Sequence, residues 1–310
     1  MISRRLMLGL GVFAGVGVSH VGAQGHNLIT YPKMRSAFVG PRTVHVWLPP
    51  DYGQSSRRYR VIYLQDGQNA FSPVYAFRNQ PLGIDAVLSA RAEEGAVKNN
   101  SGGAIVVAIW NTANRRAEYA PTAIEAYVPQ TIRDRIEREN GGPSSGDAYL
   151  NFIVHELKPF IDATYKTRPD AASNSLMGAS RGGMISLYGL CQHPDIFGAA
   201  ACLSTHWLMV SAPTPESSSN LEYRSIIEAI CTYLKDTLPK PDKHRIWMDH
   251  GTINLDSYYG PYQLRVDHVF DTHNWQKGRH YESRVYASAD HNEAAWRARL
   301  GDPLDFILRC

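Results

Sequence analysis

Five consecutive residues carry the first chemical signal. Gly178, Ala179, Ser180, Arg181 and Gly182 fit G-x-S-x-G, a pattern in which serine sits on a sharp strand-to-helix turn and attacks a carbonyl. A serine hydroxyl is a poor nucleophile until a base takes its proton, and histidine is the usual base. The pattern is weak by itself, and the chain contains its own control. Gly142-Pro143-Ser144-Ser145-Gly146 also fits, but it lies in a Gly/Pro/Ser-rich loop with no strand before it, so Ser144 is rejected. Ser180 has the required setting. A strand-like stretch from Ser173 to Gly178 precedes it, and apolar residues at helical spacing from Met184 to Leu190 follow. Gly178 and Gly182 would relieve crowding around a strained serine, and Gly183 lets the helix approach the sheet. The start of that helix puts its positive end where an oxyanion would form.

A serine, then an acid, then a histidine, the last two each in a loop after a later strand, is one chain order in which such a triad folds. His291 lies in "ASADHNEAAWRARL", after the last strand-like run and before a helical pattern. The alternative is a solvated first-turn histidine beside a cap made by Asp290 and Glu293. His268, His273 and His280 fall in or beside the helical stretch "PYQLRVDHVFDTHNW" and read as surface or packing residues. For the acid, "HRIWMDHGTINLDSYYG" offers Asp249, within or at the end of a strand, and Asp256 in the loop beyond Gly251. Asp256 is the preferred candidate and Asp249 the alternative. The acid's task is to hold the imidazole tautomer and stabilise the imidazolium.

Two backbone N–H groups are expected to hold the oxyanion. One is that of Arg181, the residue after the nucleophile; the other is that of Gln68 in "YLQDGQNAF", where Gly67 permits close backbone approach. The Arg181 guanidinium is expected to pair with a carboxylate or lie at the surface, with an anionic substrate group as the alternative partner. Asn111, Arg115 and Tyr119 in "IWNTANRRAEYAP", and His206 and Trp207 in "LSTHW", follow strands at the sheet edge where α/β proteins bind ligands. They are candidates to line the substrate site, with loop packing as the alternative.

Alternating strands and helices must position these groups. "TVHVWLP" alternates as a half-buried strand does, while "YRVIYLQDG" and "AIVVAIW" read as central strands. "SNSLMG", "GAAACLS", "HRIWMDHG" and "YESRVYA" are further strands, and Gly146 to Tyr165 reads as helix. The expected class is α/β, with a largely parallel sheet, helices on both faces and no large lid between Trp207 and Leu221. Residues 24–310 are expected to form a single catalytic domain.

The 310 residues are 44% hydrophobic and 20% charged, an ordinary globular composition. Residues 1–23 combine Arg4 and Arg5, an apolar run and a small-residue site at Ala23. They read as a signal peptide, possibly of twin-arginine type, and imply a periplasmic or secreted protein with no stable membrane insertion after cleavage. Cleavage after Ala23 takes the formal charge from +3 down by two arginines, which gives no reason to expect a nucleic-acid partner. None of the four cysteines forms a C-x-x-C pair, so no metal or redox site is expected. Cys202 reads as a buried free thiol, and Cys191 with Cys231 is the candidate disulfide.

Together, "YLQDGQNAF", "GASRGGMISLYGLCQHPDIFGAAACLSTHW", "DHGTINLDSYYGPYQ" and "HNEAAWRARL" resemble the putative-esterase branch of the α/β hydrolases, from about Val44 to Leu300. That branch includes enterochelin-esterase-like proteins, feruloyl and acetylxylan esterases, S-formylglutathione hydrolase and the mycolyltransferases. The resemblance implies an α/β-hydrolase fold with Ser180 as nucleophile, His291 as base and Asp256 as acid. The implied activity is hydrolysis of a small-molecule or polysaccharide-linked carboxylic ester through an acyl-enzyme, with no cofactor. An acyltransferase on the same triad, or a non-catalytic binding protein on the same scaffold, are the alternatives. Arg181 departs from the branch, many of whose members carry methionine there in "SMGG".

Overall fold

The computed structural model describes residues 19–20, 27–54, 56–93, 103–211 and 221–309. The expected leader lies outside the described residues except for Ser19–His20, as does most of the polar loop before Leu221. The strands are β1 (Ser19–His20), β2 (Leu28–Met34), β3 (Arg42–Trp47), β4 (Arg60–Leu64), β5 (Ala104–Ile109), β6 (Asn174–Ala179), β7 (Ala199–Leu203), β8 (Arg245–His250) and β9 (Tyr281–Val285). They form one sheet in the order β1-β2-β3-β5-β4-β6-β7-β8-β9. β1, β2 and β3 pair antiparallel with their neighbours, and from β5 to β9 every pairing is parallel.

The helices are α1 (Ile84–Glu93), α2 (Arg115–Glu118), α3 (Gln130–Asn140), α4 (Gly146–Phe152), α5 (Lys158–Thr164), α6 (Arg181–Gln192), α7 (Leu221–Thr237), α8 (Gly260–Thr272), α9 (Glu293–Arg299) and α10 (Gly301–Ile307). They cover both faces of the sheet, and β5 shows why the strands are apolar throughout. Ile105, Val107 and Ile109 join the core beneath α3 to α8, while Ala104, Val106 and Ala108 join the core beneath α1, α9 and α10. A strand buried on both faces has no polar side to display. This is the α/β class the patterning implies, with a largely parallel sheet and helices on both faces, and the resemblance implies the same.

Two local features depart from simple patterning. The helical stretch from Gly146 is interrupted by a π-type turn, Ile153–Leu157, where Pro159 in the next turn lacks an N–H for the α ladder. β2 carries Pro32 and the exposed Lys33 at a bulge between Tyr31 and Met34, which hides it from an alternation test. Cys191, Cys202 and Cys231 are all buried free thiols. The expected Cys191–Cys231 bridge is therefore not formed; each thiol packs in the core between α6, α7 and the sheet.

Candidate active site

β6 runs straight into α6, and Ser180 is the corner. Its φ of 58° and ψ of −124° lie where side chains are strained. Hydrogen bonds hold it there. Its N–H donates to the Leu203 carbonyl at 2.8 Å, and its own carbonyl accepts from Gly183, Met184 and His206. Gly178 is sterically required, because a Cβ there would come within 2.6 Å of the Gly182 carbonyl group, whereas a Cβ on Gly182 would crowd the Gln65 side chain at 3.2 Å.

Ser180 and His291 line one cavity of about 400 Å³. His291 sits between β9 and α9. Its Nδ1 lies 2.6 Å from Oδ1 of Asp256, a fully buried residue in the turn after β8. The other Asp256 oxygen accepts from the Ser204 hydroxyl and the Gly251 N–H, each at 2.6 Å. Burial pushes the Asp256 carboxyl up, but the hydrogen bonds from His291, Ser204 and Gly251 outweigh it and leave the group below its ordinary value. An ionised carboxylate only accepts, so Nδ1 of His291 carries the proton and Nε2 keeps a lone pair. Asp249 is placed differently. It accepts from Trp247 at 2.8 Å and from Arg299 at 3.0 Å. The alternative capping of α9 by Asp290 and Glu293 is also replaced: Asn292 is the cap, accepting from the Ala295 N–H at 3.0 Å.

The loop after β4 reaches the cavity through a left-handed Asp66, φ 55°. Gly67 follows, lying against β5 so closely that a Cβ would stand 2.3 Å from the Ala108 carbonyl carbon. Gln68 lines the cavity, and its side-chain oxygen accepts the Asn111 N–H at 3.2 Å. Among the described residues, the backbone N–H groups of Gln68 and Arg181 have no acceptor. Gly67→Ala must push this loop off β5. With the Gln68 N–H in the expected oxyanion role, it should lower kcat by roughly 10²-fold or more, the cost of one misplaced donor; steady-state kinetics beside a thermal melt separate this from unfolding.

The remaining predicted residues divide. Asn111 and Arg115 line the cavity. Both are tied to Asp66, Asn111 at 2.5 Å and Arg115 through two bonds of 2.6 and 2.7 Å. Tyr119, His206 and Trp207 do not line it. Tyr119 is buried beneath, its ring under the Arg115 guanidinium and its hydroxyl accepting the Asp66 N–H. His206 is buried, with Nε2–H donating to the Val210 carbonyl and Nδ1 accepting from the Tyr259 hydroxyl. Burial pushes it down to about 3, so it is neutral at working pH. Trp207 is fully buried and donates to Gln263. The whole segment 204–210 folds into the core, which turns these side chains away from the cleft.

The Arg181 guanidinium also departs from expectation. It is buried, donates to the Asn140 side-chain oxygen at 3.1 Å and has no ion-pair partner among the described residues. Burial, then Arg115 and Arg116, lower it to about 10.

Patterning missed Asn69, Glu293, Trp296, Ser204 and Arg299. Asn69 donates to Glu293 at 3.0 Å across the cavity wall. Trp296 meets the edge of the His291 ring, centroids 5.1 Å apart. Trp296 and Arg299 are three apart on one helix, the only local signal that they act on a common point.

The strand order, the serine corner and the histidine loop define an α/β hydrolase. Residues 36–307 match the family described as "Putative esterase", and the chain belongs to that family. A curated relative is the uncharacterized protein YbbA of Bacillus subtilis (strain 168), 27% identical over 181 residues, 58% of this chain and 63% of that protein. The chain thus matches just under two thirds of that relative's length. Two solved structures share the fold. A ferulic acid esterase is 18% identical with a TM-score of 0.59, over 91% of this chain and 98% of that one. An IroE-like serine hydrolase from Shewanella oneidensis is 21% identical with a TM-score of 0.60, over 88% and 77%.

Proposed function

We propose that the protein is a serine carboxylic-ester hydrolase. The observation that carries this reading is the Asp256–His291 hydrogen bond opening onto the same cavity as the strained Ser180. Ser180 Oγ attacks the ester carbonyl carbon while Nε2 of His291 takes its proton. The carbonyl π electrons move onto oxygen, which the Arg181 and Gln68 N–H groups receive. Collapse expels the alkoxide, protonated by His291, and leaves an acyl-serine. Water, deprotonated by the same imidazole, releases the acid and restores the serine. None of these steps calls on a metal or cofactor.

A cavity of about 400 Å³ supports an ester of modest acyl size. The apolar part of the cavity, including Leu82, Leu203 and Trp296, suits the acyl chain. The leader sequence supports export, and among the described residues no helix is long and apolar enough to cross a membrane.

A fluorophosphonate probe tests the reading. It should label the wild type and not Ser180→Ala, and turnover of a nitrophenyl ester should vanish with the label. An unlabelled wild type overturns it.

The pH profile follows from the same geometry. A depressed Asp256 stays ionised through the working range, and His206 stays neutral. One proton acceptor is then left for the reaction, Nε2 of His291. The logarithm of kcat/KM should fall with a slope of one as pH drops, and a slope of two would mean that a second essential group protonates there.

A further inference from the structure

Behind the triad lies a buried polar cluster that touches no reacting atom. Ser204, at the end of β7, is fully buried with φ 42°. Its hydroxyl has three partners: Asp256 Oδ2 at 2.6 Å, Trp296 Nε1 at 2.9 Å and Arg299 Nη2 at 2.8 Å. An indole N–H and a guanidinium only donate. The Ser204 oxygen must therefore accept from both, and its single proton has one place to go, the Asp256 carboxylate. Arg299 is itself 5% exposed and held by the fully buried Asp249 through Nε at 3.2 Å and Nη2 at 3.0 Å. Asp249 also accepts the Ser204 N–H at 3.2 Å. β7, β8 and α9 thus meet at one hydroxyl, and each donor on it fixes the direction of the next.

We propose that Ser204 and Arg299 are positioning residues that lock the Asp256 carboxylate in the orientation His291 requires, a role that rests on the triad reading above. Without the Ser204 proton, Oδ2 keeps only the Gly251 N–H as a hydrogen-bond donor, and the carboxylate is held less firmly against rotation about its Cβ–Cγ bond. Arg299 also places a cation 3.9 Å from Oδ2, which draws charge away from the oxygen facing His291. The other titratable groups facing Asp256 and His291 are Tyr259, its ring centroid 5.6 Å from that of the imidazole, Asp290, whose Oδ1 accepts the His291 backbone N–H at 2.7 Å, and Glu293 beside the cavity; His206 beyond Tyr259 is neutral.

The test compares Ser204→Ala, Arg299→Lys and the charge-balanced pair Asp249→Asn with Arg299→Met, which avoids leaving an unpaired buried acid. Ser204→Ala should lower kcat about 10- to 100-fold with KM unchanged, the cost of a misdirected catalytic group. Its acid limb should shift to lower pH, because a carboxylate turned out of line stabilises the imidazolium less. The paired variant should show the same shift, and Arg299→Lys should recover part of it. A second readout does not need turnover. The Nδ1–H resonance of His291, absent in His291→Ala, should move upfield and exchange faster in Ser204→Ala. A folded Ser204→Ala protein with wild-type kcat, acid limb and imidazole resonance overturns the positioning role while Ser180→Ala remains dead. If Ser180→Ala keeps its turnover, the triad reading fails, and the resonance still decides whether Ser204 orients Asp256.

Discussion

Ser180→Ala should fold as the wild type does and lose about 10⁶-fold in kcat on a nitrophenyl ester, the loss typical of a serine nucleophile in a triad. Alanine keeps the Cβ that the strained corner already accommodates, and the bonds holding the corner are all from backbone atoms. Nothing structural depends on the hydroxyl, so melting temperature should stay within a few degrees. His291→Ala should fall about as far, because a serine without its base is as inert as a base without its serine. The double variant should then be no worse than either single one, since residues that act as a unit are not additive. Ser144→Ala, the other serine in a G-x-S-x-G match, should keep full activity. A Ser180→Ala enzyme within 10²-fold of wild type would remove the serine from the mechanism altogether.

Local patterning served well where a local cause dominates. The glycines around Ser180 are legible because backbone crowding at the corner admits nothing larger at Gly178. β5 is legible because both faces are covered and every residue must be apolar. The direction of side chains within a loop is not local. His206 and Trp207 follow the right strand, yet the segment folds inward, and only the packing of Val210, Tyr259 and Gln263 around them decides that. Arg181 eluded pairing for a similar reason, since its partner is the amide of Asn140 at the end of α3. The Ser204–Arg299 contact spans 95 residues of chain, and no periodicity encodes it. The Asp249 and Asp256 pair illustrates the boundary. Sequence order brought both to the end of β8, and three-dimensional geometry gave one to His291 and the other to Arg299.

That division makes Asp256→Asn the sharpest test of the acid. In the wild type Oδ1 receives Nδ1–H of His291, and Oδ2 receives the Ser204 hydroxyl and the Gly251 N–H. An amide must put its NH₂ at one of these places. At Oδ2 it would meet the Gly251 N–H, a donor fixed by the backbone. At Oδ1 it meets the imidazole, which can respond by changing tautomer. The NH₂ therefore settles at Oδ1, Nδ1 becomes the acceptor, and the proton moves to Nε2, where Ser180 needs a lone pair. The base is blocked without any change in shape. The expected loss is about 10⁴-fold in kcat with little change in KM or melting temperature. Asp249→Asn should behave in the opposite way. It strips the buried Arg299 of its carboxylate, which costs on the order of 3–5 kcal/mol of stability, while the imidazole keeps its tautomer and kcat falls far less. Measuring kcat and thermal stability for both variants separates the two aspartates, and a larger kcat loss in Asp249→Asn than in Asp256→Asn would transfer the role of acid from one to the other.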